Sequence, residues 1–592
     1  MLKASVVIPT RDRWSSLQRC LNALLSQTLP HDQYEIIVVS DGSTNGPEQG
    51  MASCASDPRV RFLQQPTQDL VAAMNCGIQL ASGEIVILTR DDCVCEPDLI
   101  AAHVQAHAHE EHLVVQGPVF VHPQCPRTAV TEFLRERGQR NFVRCTTEGP
   151  GSSDLVPGAN RSVRRAFLQK HPFDPASLHN AHNELGFRLQ QAGARARYAA
   201  SAVAYQFADK TPDALVSDTR DLSVFEVGFS RIHPAYRAMS SIAQWSRDTA
   251  KKRFLRSLLA RTPFSPEPLL KLLFLLVQPL QRHAFFLRAA QRLLKLRIEV
   301  AASRAAVSAA GSWARLHASF LLRVPILLYH LVTSDSESAP NAIAMTRSTF
   351  EQQMHWLAKS GYQGIRISEF IAWRENDSPL PPKPVLITFD DAYEDTAQYG
   401  FPILQRSGFP AACMVVTGEI AQFNQWDVKL GWQPRRLMNK ESLLEWKERG
   451  IEYGAHSCTH PDLRTLKEND LQQELAASRD ALEQIIGSPV RTFAYPYGFL
   501  NRRVREEAER SFDFAFTTEP RPSNLASDPL LLGRMEPLHS DSYSDFISRV
   551  RWGWTPRLRL RTIFDNLFTR TRTLLRVTRA RPALQAQRDS DS

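Results

Sequence analysis

The run Val385-Leu386-Ile387-Thr388-Phe389 is almost wholly apolar and stops abruptly at Asp390-Asp391. A short run of this kind reads as a strand buried on both faces, and such strands belong to parallel sheets covered by helices. Acids at the C-terminal end of such a strand lie where α/β barrels keep their chemistry. Further along, Tyr453-Gly454-Ala455 leads into His456-Ser457-Cys458-Thr459-His460. Wound as a helical turn, the two imidazoles share one face and can share one divalent cation. Two His and one carboxylate leave coordination positions open, which describes a catalytic rather than a structural site, and the second carboxylate is free to act as a base.

Two flanking segments extend the pattern. Val324-Pro325-Ile326-Leu327-Leu328-Tyr329-His330 is a strand with a polar end, and Arg491-Thr492-Phe493-Ala494-Tyr495-Pro496-Tyr497-Gly498 is an apolar segment broken by Pro and Gly. Together these stretches resemble the polysaccharide deacetylase family (carbohydrate esterase family 4) over roughly residues 320–545. The resemblance implies a distorted (β/α) barrel and metal-dependent removal of an N-acetyl group. It implies Asp390 as base and Asp391, His456 and His460 as ligands. It implies Arg491 as the arginine that fixes the base. It places the backbone N–H of Tyr497, in the turn begun by Pro496, at the developing oxyanion, and His539 as general acid. Zinc suits two imidazoles and a carboxylate, and other first-row ions suit related sites.

The first 115 residues alternate strand and helix. Ser5 to Pro9, Tyr34 to Val39 and Glu84 to Leu88 read as strands; Ser15 to Gln27 and Ala72 to Leu80 read as helices. Ser40-Asp41-Gly42-Ser43 and Thr89-Arg90-Asp91-Asp92 close two of the strands, which predicts a ligand crevice over the C-terminal edge of a parallel sheet. Asp92, with Asp91 beside it, can hold Mg²⁺ or Mn²⁺ against a pyrophosphate, and Asp41 can accept hydrogen bonds from a base or ribose.

Val6 to Arg13, Val39 to Ser43, Asn75-Cys76-Gly77, Asp91-Asp92, Gly158-Ala159-Asn160 and Glu184-Leu185-Gly186 resemble family 2 glycosyltransferases of the GT-A fold, to about residue 207. The resemblance implies a nucleotide-sugar donor bound by Pro9, Thr10, Asp41, Asp91 and Asp92, a Mg²⁺ or Mn²⁺ ion, and inversion at the anomeric carbon. Two departures stand out: Arg90 replaces an acid found in many relatives, and Ala181-His182 replaces a Glu-Asp pair. His182 or Glu184 is then the candidate base, since imidazole titrates near neutrality.

The chain of 592 residues therefore divides into a transferase-like domain (1–207), a basic helical linker (208–320), a deacetylase-like domain (321–545) and an Arg-rich tail (546–592). Pro263, Pro266, Pro268 and Pro279 predict several short helices in the linker. Phe423 to Met438 reads as a loop over one barrel end whose Phe423, Trp426 and Trp432 can stack on sugars or simply pack. The nine cysteines suit free thiols rather than a disulfide framework. A net charge of +9 favours acidic partners: a nucleotide-sugar donor, or an anionic membrane surface met by the linker and tail. No nucleic-acid module is visible. With no leader and no apolar run of ~20 residues, the expected place is the cytoplasm, peripheral on the inner membrane face. Three readings stand: a bifunctional enzyme acting on a glycan or lipid-linked acceptor, a deacetylase with a binding-only transferase half, and a non-catalytic scaffold.

Overall fold

The structure, a computed structural model, describes residues 2–44, 56–66, 69–108, 110–147, 159–177, 180–337, 343–428 and 431–553. Cys54, Gly158 and residues 554–592 of the tail lie outside the described residues. The chain forms two compact units, Met1–Leu316 and His317–Ser592.

The first unit is built on a seven-stranded sheet. Its strands are β1 (Ala4–Thr10), β2 (Tyr34–Asp41), β3 (Val60–Gln65), β4 (Ile85–Leu88), β5 (Leu113–Gln116), β6 (Arg161–Arg164) and β7 (Arg195–Tyr198), in the order β3-β2-β1-β4-β6-β5-β7. β1, β2, β3 and β4 are parallel, and β6 runs antiparallel to both its neighbours. The parallel strands are apolar on both faces because helices cover both: Leu17, Cys20, Leu21 and Leu24 of α1 (Trp14–Leu25) on one side, Val71, Met74 and Ile78 of α2 (Leu70–Leu80) on the other. Gly77 admits this closeness, since a Cβ there would stand 2.4 Å from a methyl of Val7. Asn75 is structural, trading two hydrogen bonds of 2.9 Å with the backbone of Phe173.

The predicted linker does break into short helices at its prolines, but it also holds one long helix. After α3 (Ala129–Thr147), α4 (Ala181–Gln191) and α5 (Pro212–Ile232) come α6 (Ala250–Arg261), α7 (Glu267–Val277) and the 27-residue α8 (Ala284–Ala310). The prolines cluster before α8, which contains none and so runs unbroken to Gly311, a left-handed C-cap. These helices join the first unit: Leu215, Phe274, Ala290 and Leu294 share a core with Ala129 and Val130. Buried Arg297 donates to Asp213 at 2.6 Å and Glu267 at 2.8 Å.

The second unit is a curled parallel sheet: β8 (Ile326–Tyr329), β9 (Pro384–Phe389), β10 (Ala411–Val415), β11 (Ile451–Ala455), β12 (Thr492–Ala494) and β13 (Phe514–Phe516), in that order. Gln363–Gly364 adds a short parallel strand beside β9. Its two edges meet through the segment from Leu532 to Met535. Leu532 bridges Phe516, Met535 bridges Leu327, and Met535 N–H donates to the Ile326 carbonyl at 2.7 Å. A barrel removes exposed strand edges, and here an irregular segment completes it. The Arg-rich tail begins later than expected, because helix Tyr543–Trp552 packs Phe546 and Val550 into the barrel core. Among the described residues no helix is long and apolar enough to cross a membrane.

Candidate active site

In the barrel every parallel strand delivers its C-terminal end to one rim. β9 ends in Asp390 and Asp391, β11 in His456, and β8 in His330. The His456–His460 segment is not the helical turn expected from spacing. It is a loop with Ser457 (φ 66) and His460 (φ 57) left-handed. Glu474 holds it by accepting from the backbone N–H of Cys458 (2.8 Å) and Thr459 (3.0 Å), and Ser457 Oγ accepts from the His460 N–H. Asp391, Ala392 and Tyr497 are left-handed as well. Five non-glycine residues in this sparsely populated region around one rim mark backbone strain held by its surroundings, as functional sites hold it.

Ligand atoms of Asp391, His456 and His460 all lie within 4.8 Å of one another, and the three residues are buried. His456 Nε2 and His460 Nε2 each stand 3.5 Å from Asp391 Oδ1. His456 Nδ1 lies 2.8 Å from the Ala494 carbonyl, so Nδ1 carries the proton and Nε2 presents its lone pair to the site. Burial lowers the basicity of both imidazoles and keeps them neutral. Burial also pushes the Asp391 carboxyl well up, and the charges of Asp390 and Asp427 add to that. Asp391 Oδ1 is buried without a hydrogen-bond partner. Two neutral imidazoles, an unsatisfied carboxylate oxygen and surplus buried negative charge fit a divalent cation.

Asp390 is differently placed. Its two oxygens accept from the two terminal nitrogens of Arg534, each at 2.6 Å, and both side chains are buried. Burial works against the charged form, but the Arg534 guanidinium overrides it and holds the carboxyl well below the usual range. Arg491, expected in this role, lies at the opposite rim. It precedes β12 and so emerges from the N-terminal ends of the strands, where it pairs with Glu375 and Asp513 at 2.5 Å beside a cavity of about 400 Å³. The chain closes the barrel with a segment that carries its own arginine.

His539 is exposed in the turn before helix Tyr543–Trp552. The third imidazole of the site is His330, whose charge bears on Asp390, His456 and His460. Its Nδ1 lies 3.4 Å from Glu536 Oε1, near enough for an ion pair but without a hydrogen bond between them. Three further residues were not singled out for the site from the sequence: Asp427, which accepts from Tyr393 Oη and Asn424 Nδ2 at 2.6 Å, and the supporting Asn424 and Glu474. Trp426 does not face outward for a sugar; it is buried and stacks on His460, with centroids 4.6 Å apart. Phe423 is the exposed aromatic of that loop, and Trp432 is half-buried. The Pro496-Tyr497 turn lies alongside, its Tyr497 ring 4.5 Å from His460. His330 was legible as a polar residue ending a buried strand. Arg534 shows in sequence only as one cation inside Leu530-Leu531-Leu532-Gly533-Arg534-Met535.

In the first unit the ends of β1, β2 and β4 share the edge that carries Thr10, Asp41 and the Arg90-Asp91-Asp92 turn. Thr10 Oγ1 donates to Asp91 at 2.9 Å; Pro9 is paired in register with Val39; Gln65 Nε2 donates to Asp41 at 3.0 Å. Asp92 is fully engaged. Arg90 chelates both its oxygens at 3.1 and 3.0 Å, Gln206 reaches it at 3.1 Å, and Arg13 at 3.3 Å while also touching Asp91. This donor set does not fit the expected Mg²⁺ or Mn²⁺, because guanidinium groups already occupy the oxygens a cation needs. Glu184 is held by Arg188 at 2.8 Å, and His182, at the start of α4, stands edge-on to Phe173.

Comparison with known proteins agrees with this division. Residues 5–171 match the family model "Glycosyl transferase family 2", and residues 377–511 match "Polysaccharide deacetylase". The chain is 28% identical over 199 residues to the Bacillus subtilis protein YxkH, named as a polysaccharide deacetylase; the match covers 33% of this chain and spans 65% of that protein's length. It is 25% identical over 204 residues to the poly-β-1,6-N-acetyl-D-glucosamine N-deacetylase of Staphylococcus epidermidis, covering 32% and 67% of the two chains. Among solved structures, the Streptococcus pyogenes deacetylase PplD in complex with acetate gives a TM-score of 0.34 at 24% identity, over 39% of this chain and 98% of that one. Two separate stretches of one chain thus match two family models. The chain carries a family 2 glycosyltransferase domain followed by a polysaccharide deacetylase domain.

Proposed function

We propose that this chain is bifunctional: its first unit transfers a sugar from a nucleotide-sugar donor to a glycan or lipid-linked acceptor, and its second unit removes an N-acetyl group from an N-acetylated sugar. The observation that carries the hydrolytic half is the buried Asp390–Arg534 pair set against the three-donor cluster of Asp391, His456 and His460. Asp391, His456 and His460 would hold a divalent ion, with zinc the best match to that donor set. Such an ion supplies Lewis acidity toward a carbonyl oxygen and lowers the pKa of water.

The chain's own groups supply the proton transfers. Asp390, kept ionised by Arg534, accepts a proton from the attacking water. His330, facing Glu536, delivers one to the leaving amine nitrogen, since an amine leaves only when protonated. The Tyr497 backbone N–H would donate to the oxygen on which charge develops, a contribution of roughly 3 kcal/mol in comparable sites. Phe423, exposed on the rim loop, offers an apolar face to the sugar ring. The N-acetylhexosamine class of substrate follows from the Staphylococcus relative's name.

In the transferase half, Thr10, Asp41 and Asp91 line the donor edge, and Arg13 and Arg90 provide positive charge there. A donor of this kind is made in the cytosol, which favours the cytoplasmic face for both halves. The engaged states of Asp92 and Glu184 favour a second reading, in which this half binds donor without turnover. Acetate release from N-acetylglucosamine oligomers tests the hydrolytic half, and hydrolysis of a panel of nucleotide sugars separates the two readings of the other.

A further inference from the structure

α7 reads Glu-Pro-Leu-Leu-Lys-Leu-Leu-Phe-Leu-Leu-Val, apolar nearly all round. A helix with that pattern belongs in a core or in lipid. Yet it buries only Leu270 and Phe274, four residues apart and therefore on one face. Leu269, Leu272, Leu273, Leu275 and Leu276 stay exposed, Leu276 at 64%. Phe254, Leu255 and Leu258 of α6, Phe264, Leu280, and Phe285 at the start of α8 are exposed too, Phe264 at 85% and Phe285 at 76%. Of the 21 large apolar residues exposed among the described residues, 11 fall between Phe254 and Phe285. Isolated exposed leucines need no explanation; a concentration like this one does.

The helix is not loosely attached. Glu267 and Lys271 tie it to Arg297 and Asp213, and Phe274 packs in the core beside Leu294. Its outward face is therefore a presented surface.

The charge carried by this segment is nearly all of one sign, although Asp213, Asp248 and Glu299 of neighbouring segments pair with Lys271, Lys252 and Arg256. Residues 251–292 contain nine Lys and Arg against a single acid, Glu267, which is already paired. Lys251, Arg261, Arg282, Arg288 and Arg292 are exposed and make no ion pair among the described residues. At 11 residues α7 is about 16 Å long, roughly half of a bilayer's hydrocarbon thickness, so it can lie in the interface but not cross it.

We propose that α6, α7 and the start of α8 form an in-plane membrane-docking surface for an anionic leaflet. The leucines and phenylalanines enter the acyl boundary and the arginines and lysines meet phosphate headgroups. The surface belongs to the transferase unit and brings that unit to the leaflet. It stands independently of which sugar or acceptor the enzyme uses.

Flotation of the full-length protein with vesicles tests this. Wild type floats with phosphatidylglycerol-containing vesicles and at least about tenfold less with pure phosphatidylcholine. Leu272→Glu with Leu276→Glu lowers partition to the anionic vesicles about tenfold or more; both positions are exposed, so the thermal transition is unchanged. A chain ending at residue 553 keeps its partition. Binding that is lost with the last 39 residues but unaffected by the double substitution would overturn the proposal. So would light scattering that shows a wild-type oligomer converted to monomer by the double substitution with no lipid binding in either, which would make the face a contact between copies.

Discussion

Arg534 and Asp390 face each other as a planar fork, both terminal guanidinium nitrogens 2.6 Å from the two carboxylate oxygens, with neither side chain open to solvent. Lysine cannot reproduce two parallel bonds from one planar group. Arg534→Lys should therefore lower kcat/KM for deacetylation by roughly 100-fold with metal content retained. Arg534→Ala leaves a buried unpaired carboxylate and should destabilise the barrel by about 3–5 kcal/mol. Arg491→Ala, at the other rim, should change kcat/KM by less than about threefold. Steady-state kinetics and a denaturant melt on the three variants check this.

The two candidate acids separate just as clearly. His330→Gln should reduce turnover by roughly 100-fold or more, the range for loss of a positioned proton donor. His539→Gln should be nearly silent, because that side chain is exposed in a turn. Glu536→Gln should fall between them, since its carboxylate faces His330 at 3.4 Å. Parallel kcat measurements decide the order.

In the transferase half, Arg90 and Arg13 already neutralise Asp92. Nucleoside diphosphate binding, followed by calorimetry, should differ by less than about threefold between chelator and millimolar Mg²⁺. Arg90→Asp, which frees Asp92 and adds a carboxylate, should make binding depend on the ion. Strong metal dependence in wild type would show that Arg90 swings away.

Glu226 on α5 is buried and accepts from Ser241 N–H at 2.6 Å and Ser241 Oγ at 2.8 Å. Burial raises its pKa from the usual 4.5 to about 7, with the Ser241 and Ile242 donors opposing the rise. A carboxyl raised on folding binds more protons in the native state, so its stabilising contribution is present below about 4.5 and is lost as pH rises toward about 7. The loss is on the order of 3 kcal/mol. Wild type should melt lower at about pH 8 than at about pH 5, with a smaller difference in Glu226→Gln.

Much of the barrel site was legible because its ligands terminate strands. Asp390, Asp391 and His456 each follow an apolar run directly, and the sheet turns that local pattern into proximity. Arg534 was not legible. Its segment makes two isolated bridges rather than a strand, and only closure of the barrel brings it to Asp390. Arg491 sits beside a true strand, but at the wrong end of it, and direction along a strand decides which rim a residue reaches. The His456–His460 spacing suggested a helical turn; Ser457 and His460 show that left-handed backbone can bring two rings together without one. In the transferase half the Arg90 departure was visible, but not that its guanidinium would fold back onto Asp92. The four prolines before α8 marked the breaks on either side of α7, and α8, free of proline, runs on unbroken.

The central claim is that Asp390 serves as base while Asp391, His456 and His460 hold a cation. Metal content and acetate release from N-acetylglucosamine oligomers, measured on the same preparations, test it most directly. Wild type should carry about one equivalent of a first-row divalent metal and release acetate. Asp390→Asn should keep the metal and lose acetate release by about 1,000-fold or more, and His456→Ala should lose both. Asp390→Asn protein that still releases acetate at near wild-type rate, or His456→Ala that keeps its metal, would contradict the account.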